Sequence, residues 1–193
     1  MMINIETTPN PSTLKFMPGR TVMEVGTRDF ASPEEAGASP LAEALFTLGD
    51  VEGVFFGHSF VSVTAGPGTN WADLKPDVLS ILLDHFSANM PLFAASAGGI
   101  YVAPEITHDD DPADADIIVQ IKELIETRVR PAVASDGGDI IYHGFNKGTV
   151  FLKMQGACSG CHHQPRPSKT VLSRCLSIMF PRSLTFGQSD CRY

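Results

Sequence analysis

The sequence predicts an α+β protein built from two small domains, and three observations carry that prediction. Short runs of β-branched and aromatic residues, bounded by Pro, Gly and Asn, occur before residue 70 and again after residue 137. Three stretches place apolar residues at helical spacing, in "SPLAEALFTL", "NWADLKPDVLSILLDHFSANM" and "IIVQIKELIETRVR". Between the two sets lies "APEITHDDDPADAD", residues 103–116, where acidic residues and two prolines interrupt otherwise apolar sequence. The expected organisation is a domain over 1–95, a flexible acidic linker over 96–115, a second domain over 116–161 and an aberrant tail over 162–193. The linker begins at 96 because "FAASAGGIYVA" is small and Gly-rich.

The elements follow in order. "MINIETTPNPSTLKFMPG" predicts two short strands around a turn marked by Pro9 and Pro11, with Ile3 and Ile5, then Leu14 and Phe16, alternating. A helix with Leu41, Ala44, Leu45 and Leu48 on one face comes next, followed in "VEGVFFGHSFVSVT" by two strands about a Gly-His-Ser turn. Asn70 caps the following helix, whose buried stripe runs through Trp71, Leu74, Val78, Ile81, Leu82, His85 and Phe86. Trp71, Phe55 and Phe56 are expected in the core, and His58 and His85 at a turn and a helix edge. Neither histidine has a Ser, Cys or carboxylate at a recognisable catalytic spacing. In the second domain Asp116 caps a helix that buries Ile117, Ile118, Ile121, Leu124, Ile125 and Val129 and stops before Pro131. A Gly137-Gly138 turn, a strand through 140–142, a turn at 146–148 and a strand over 149–154 complete it.

Composition excludes several classes of partner. With 14 basic against 22 acidic residues the net charge is −8, which disfavours nucleic acid and anionic membrane surfaces. No apolar run reaches the roughly 20 residues that span a bilayer. The start "MMINIETTPN" has neither a basic n-region nor the Arg-rich character of a transit peptide, so the expected location is the cytoplasm of a bacterium. All four cysteines lie beyond residue 157, a distribution that fits a metal or redox site better than a secreted disulfide framework.

The chemistry concentrates in "GACSGCHHQPRPSK", residues 156–169. Cys158 and Cys161 form a C-x-x-C that suits zinc, a redox disulfide or an iron-sulfur cluster, and with His162 it also matches covalent haem attachment. Haem attachment suffers from the missing export signal. Zinc would need His162 and His163, which point in divergent directions when adjacent. A thiol-disulfide oxidoreductase would place its C-x-x-C at a helix start in a βαβ setting, whereas a hairpin precedes it here. The glycines at 156 and 160 allow a tight loop whose N–H groups can bond to sulfur and favour the thiolate.

The order helix, "DGGD", hairpin, "GACSGC" resembles the C-terminal domain of the NifU family, the Nfu-type iron-sulfur cluster scaffolds and carriers. "IETTPNPSTLKF" and "GVFFGHSFVSVT" resemble the N-terminal domain of the same two-domain proteins. The resemblance covers residues 1–161 and implies that Cys158 and Cys161 are the cluster ligands. A [4Fe-4S] cluster takes four thiolates. The resemblance therefore implies a homodimer in which two copies of the chain share one cluster, a carrier rather than an enzyme. Its partners would be apo iron-sulfur client proteins and cluster donors, recognised by the N-terminal domain. Zinc binding, thiol-disulfide redox chemistry and a non-functional product are the alternatives.

After Cys161 the chain departs from that family, which continues with CPSS and a long helix. Here "HHQPRPSKTVLSRCLSIMFPRSLTFGQSDCRY" has two prolines within its first six residues and no helical period, so the second domain is expected to lack its usual last helix. Loss of one base after the Cys161 codon accounts for this: the restored frame permits a string beginning PSSTATLKNGIESML, a capped amphipathic helix. On that reading His162, His163, Cys175 and Cys191 are not ligands.

Overall fold

The computed structural model describes residues 2–94, 114–146, 149–158 and 185–188, with backbone alone at 146, 149 and 185–188. Of the expected linker, residues 96–113 lie outside the described residues, as do Cys161 and the stretch 162–184. The architecture is α+β, in two units each with its own sheet and core.

The first unit is a five-stranded antiparallel sheet in the order β1-β2-β5-β4-β3. Strands β1 (Asn4–Thr7) and β2 (Thr13–Met17) form the expected hairpin, and β4 (Val51–Phe56) and β5 (Val61–Ala65) the second. Edge strand β3 (Arg28–Phe30) and the short helix α1 (Pro33–Ala36) were not expected; three residues give too little alternation to stand out. Helix α2 (Pro40–Phe46) starts where Ser39 accepts a hydrogen bond from the Ala42 N–H. Its buried face is Leu41, Ala42, Leu45 and Phe46, so Ala42 and Phe46 replace the expected Ala44 and Leu48. Helix α3 (Trp71–Ser87) is capped by Asn70 and buries Leu74, Val78, Leu82, His85 and Phe86, as its apolar period requires. Together α2 and α3 cover one face of the sheet, over Leu14, Phe16, Phe30, Val54, Phe56, Val61 and Val63.

Because successive strand residues point to opposite faces, the alternate positions Thr13, Lys15, Phe55 and Ser62 belong to the second face. These too are buried, Phe55 and Ser62 to 1% exposure. What covers them is the second unit. Phe55 is thus an interdomain residue, and Phe56 alone of the pair joins the first core.

The second unit begins with helix α4 (Ala115–Leu124). Asp114 occupies the cap position and Asp116 the first turn, so the helix starts two residues earlier than expected. The helix does not stop before Pro131. A wide π-type turn (Ile125–Val129) leads directly into α5 (Arg130–Ser135), with Pro131 at its start, where a missing N–H costs little. Ile118, Ile121, Leu124, Ile125, Val129 and Val133 pack on Ile140, Phe145, Val150 and Leu152 of the hairpin β6 (Gly138–Asn146) and β7 (Thr149–Gly156), while Ile117 faces outward. Strand β8 (Thr185–Gln188) adds to β7 in parallel, an element within the tail that its sequence did not suggest. Among the described residues no helix is long and apolar enough to cross a membrane.

One ion pair fixes β6 to the helix. Arg130 Nε and Nη2 donate to the two oxygens of buried Asp139 at 2.9 and 2.8 Å, and the Ile140 N–H and Thr27 Oγ1 donate to the same carboxylate, each at 2.8 Å. Burial alone would raise the Asp139 carboxyl, but these donors hold it below its usual value. Asp139→Ala takes the buried carboxylate from a half-buried guanidinium and leaves it only the exposed Glu126 at 2.7 Å, and urea unfolding is expected to show a loss of about 3 kcal/mol. A loss below about 1 kcal/mol would place the pair among surface bridges of little consequence.

Candidate cluster-binding site

Cys158 sits in the turn that follows β7, half-exposed, with its side chain at the edge of the second core. Local geometry is set by glycine. Gly137 and Gly156 adopt φ of +82° and +64°, which side chains with a Cβ rarely adopt. A Cβ on Gly138 would lie 2.5 Å from the Gln155 carbonyl oxygen and 2.9 Å from Cys158 Sγ, so the sulfur rests directly over the glycine backbone. The Ala157 N–H donates to the Gly137 carbonyl at 3.3 Å, closing the base of the hairpin.

Sequence reasoning missed the contribution of the first domain to this turn. Asn10 Nδ2 donates to the Ala157 carbonyl at 3.3 Å and Ser62 Oγ to the Gly137 carbonyl at 2.8 Å. Lys15 Nζ reaches the Ser135 carbonyl at 3.4 Å while pairing with Glu6 at 3.3 Å and lying 4.8 Å from the Phe60 ring centre. Asp29 accepts from the Gly156 N–H, and burial raises its carboxyl from 3.8 to about 6. Asn10, Asp29, Glu52, Phe55, Thr64 and Gly156 line a cleft of about 170 Å³ between the units. The one available signal was the polar residue at every second position of β2 and β5, in strands otherwise buried.

Cys161, His162, His163, Cys175 and Cys191 lie outside the described residues. Among the described residues no three His, Cys, Asp or Glu side chains gather as a metal site. His58 Nδ1 is bonded to the Met23 carbonyl at 2.9 Å, and His85 is buried with its Nε2 unpartnered, its protonation disfavoured by burial and then by Arg20.

Comparison with known proteins decides the family. Residues 3–89 match the family of the scaffold protein Nfu/NifU N-terminal domain, and residues 121–185 match the NifU-like domain. The human NFU1 iron-sulfur cluster scaffold homolog, a mitochondrial protein, is 40% identical over 182 residues, 94% of this chain and 69% of its own length. The chain belongs to the NifU/Nfu family. Mitochondrial NifU-like protein 5 of Arabidopsis thaliana is 46% identical over 90% of this chain. The chain spans about three fifths of that relative, 61% of its length. The solution NMR structure of a NifU-like protein from Saccharomyces cerevisiae aligns with a TM-score of 0.45 and 20% identity, over 49% of this chain and 86% of that one.

Two sequence expectations meet these findings. The expected bacterial cytoplasm is overturned, since relatives 40–46% identical to this chain, from a plant, an insect and human, are mitochondrial proteins. That expectation leaned on the first ten residues of a chain that matches three fifths of a longer relative. The NifU-like match also runs on to residue 185, past the boundary expected at Cys161.

Folding raises the Asp29 carboxyl, so the folded chain holds that proton more tightly than the unfolded one. Its cost to stability is absent below its ordinary value of 3.8 and grows as pH climbs toward 6. Glu35 adds to the rise, while the Gly156 N–H, Lys153 and Arg28 oppose it. Asp29→Asn keeps an acceptor for Gly156 and removes the titration. In urea unfolding the variant is expected to gain on the wild type as pH rises from about 4 to 6.5, and a difference flat with pH would contradict the assignment.

Proposed function

We propose that this chain binds an iron-sulfur cluster as cargo through Cys158 and Cys161 and transfers it to apoproteins. The observation that carries the reading is the placement of Cys158: a half-exposed thiol on a turn that glycines brace against the backbone, in a family whose members include proteins named as cluster scaffolds. A thiol so placed is open to incoming ligands yet fixed in direction.

A [4Fe-4S] cluster needs four thiolates, and C-x-x-C supplies two, so two copies of the chain hold one cluster between them as a homodimer. Recipient thiolates displace the ligands one at a time by the attack chemistry of thiol exchange, and no substrate bond is made or broken. The chain is in this sense a carrier and not an enzyme, and its partners are cluster donors and apo iron-sulfur clients. The acidic stretch before the cap residue Asp114, residues 96–113, links the two domains. From His162 onward the chain is read in a shifted frame, and His162, His163, Cys175 and Cys191 play no part in the site.

Anaerobic reconstitution with ferrous iron and sulfide is expected to give a brown, dimeric product that absorbs in the visible and is lost on Cys158→Ala or Cys161→Ala. A chromophore that survives both replacements together would overturn the assignment. Resequencing the gene across the Cys161 codon is expected to recover the missing base; an unbroken frame, matched by the mass of the C-terminal peptide, would show that the tail is native.

A further inference from the structure

We propose that Asn10 and Ser62 of the first domain are positioning residues for Cys158, holding the two carbonyls that flank its turn and thereby fixing how the thiol is presented. This rests on the reading of Cys158 as a ligand. Both act through backbone carbonyls. Ser62, 1% exposed, donates to Gly137 at 2.8 Å, and Asn10, 7% exposed, donates to Ala157 at 3.3 Å. Gly137 and Ala157 are themselves joined by a hydrogen bond, and Cys158 follows Ala157 directly. Two donors from one domain thus grip a single knot of backbone in the other, with the sulfur over Gly138.

Asn10 divides its side chain between two jobs. Its Oδ1 accepts from the Ser12 N–H at 3.1 Å, which shapes its own loop, while its Nδ2 reaches across to Ala157. Asn10→Asp keeps the acceptor and loses the donor, so it separates the fold of the first domain from the grip on the second. Ser62→Ala removes the other donor at almost constant volume. Thr8 and Phe55 complete the seam: a Cβ on Gly137 would come within 3.0 Å of Thr8 Cγ2, and one on Gly156 within 2.8 Å of Phe55 Cγ.

The test uses the full chain with Cys161, Cys175 and Cys191 replaced by Ser, so that Cys158 is the single thiol, and follows its alkylation by iodoacetamide in the metal-free protein at fixed pH. Asn10→Asp and Ser62→Ala are each expected to raise the rate about fivefold, the scale of one lost hydrogen bond. The control is Asn70→Ala, which removes the cap of α3 far from the seam. It weakens the first domain and is expected to leave the rate unchanged. Unchanged rates in both seam variants, or an equal rise in the Asn70 control, would overturn the proposal. The readout needs no cluster, so a wild-type chain that fails to load iron and sulfide would sink the carrier reading while leaving this one standing.

Discussion

The structure turns on one close approach, that of the Gly137-Gly138 backbone to Gly156-Ala157 at the base of the second hairpin. No Cβ fits at these glycines without meeting a hydroxyl and a methyl at Gly137, a carbonyl and a sulfur at Gly138, or a carbonyl and a ring at Gly156. That constraint closes β6 on β7, sets the register of the strands through Gly138 opposite Gly156, and starts the turn that carries Cys158. It also leaves a flat backbone surface for another sheet to lie on. The second face of the first domain does so, with Phe55 beneath Gly156 and Ser62 beneath Gly137.

Burial on both faces explains a feature of the first sheet that single-face packing does not. In β2 and β5 the residues toward the helices are apolar, and those toward the second domain are Thr13, Lys15, Ser62 and Thr64. Polar groups taken out of water need partners, and theirs are each other, the Glu6 carboxylate and the carbonyls of residues 135 and 137. Each such bond contributes about 1 kcal/mol net, so the seam is held far more weakly than either apolar core. A grip of that strength orders the Cys158 turn and still opens at less cost than unfolding, as the proposed holding and release of a cluster would require.

Much of this was legible in the residues, and the failures have physical causes. Alternation and helical period gave four strands of the first domain, helix α3 and its cap, because those signals are local. Pro131 misled because a proline signals a stop, whereas the π-type turn before it lets the chain resume a helix where a missing N–H costs little. Strand β3 is too short to declare itself. Phe55 looked like core and proved interdomain, since period 2 shows that a residue is buried but not what buries it. Cys158 was found from spacing, whereas Asn10, Asp29 and Ser62, over 90 positions away, have no motif to announce them.

The claim that the first domain lies against the cysteine turn is tested most directly by nuclear Overhauser spectroscopy of the metal-free chain, read between the Phe55 ring protons and the Gly156 α protons. The account predicts a strong cross-peak, with Gly156 shifted by the ring current. Intact contacts within each domain but none between Phe55 and Gly156 would contradict it.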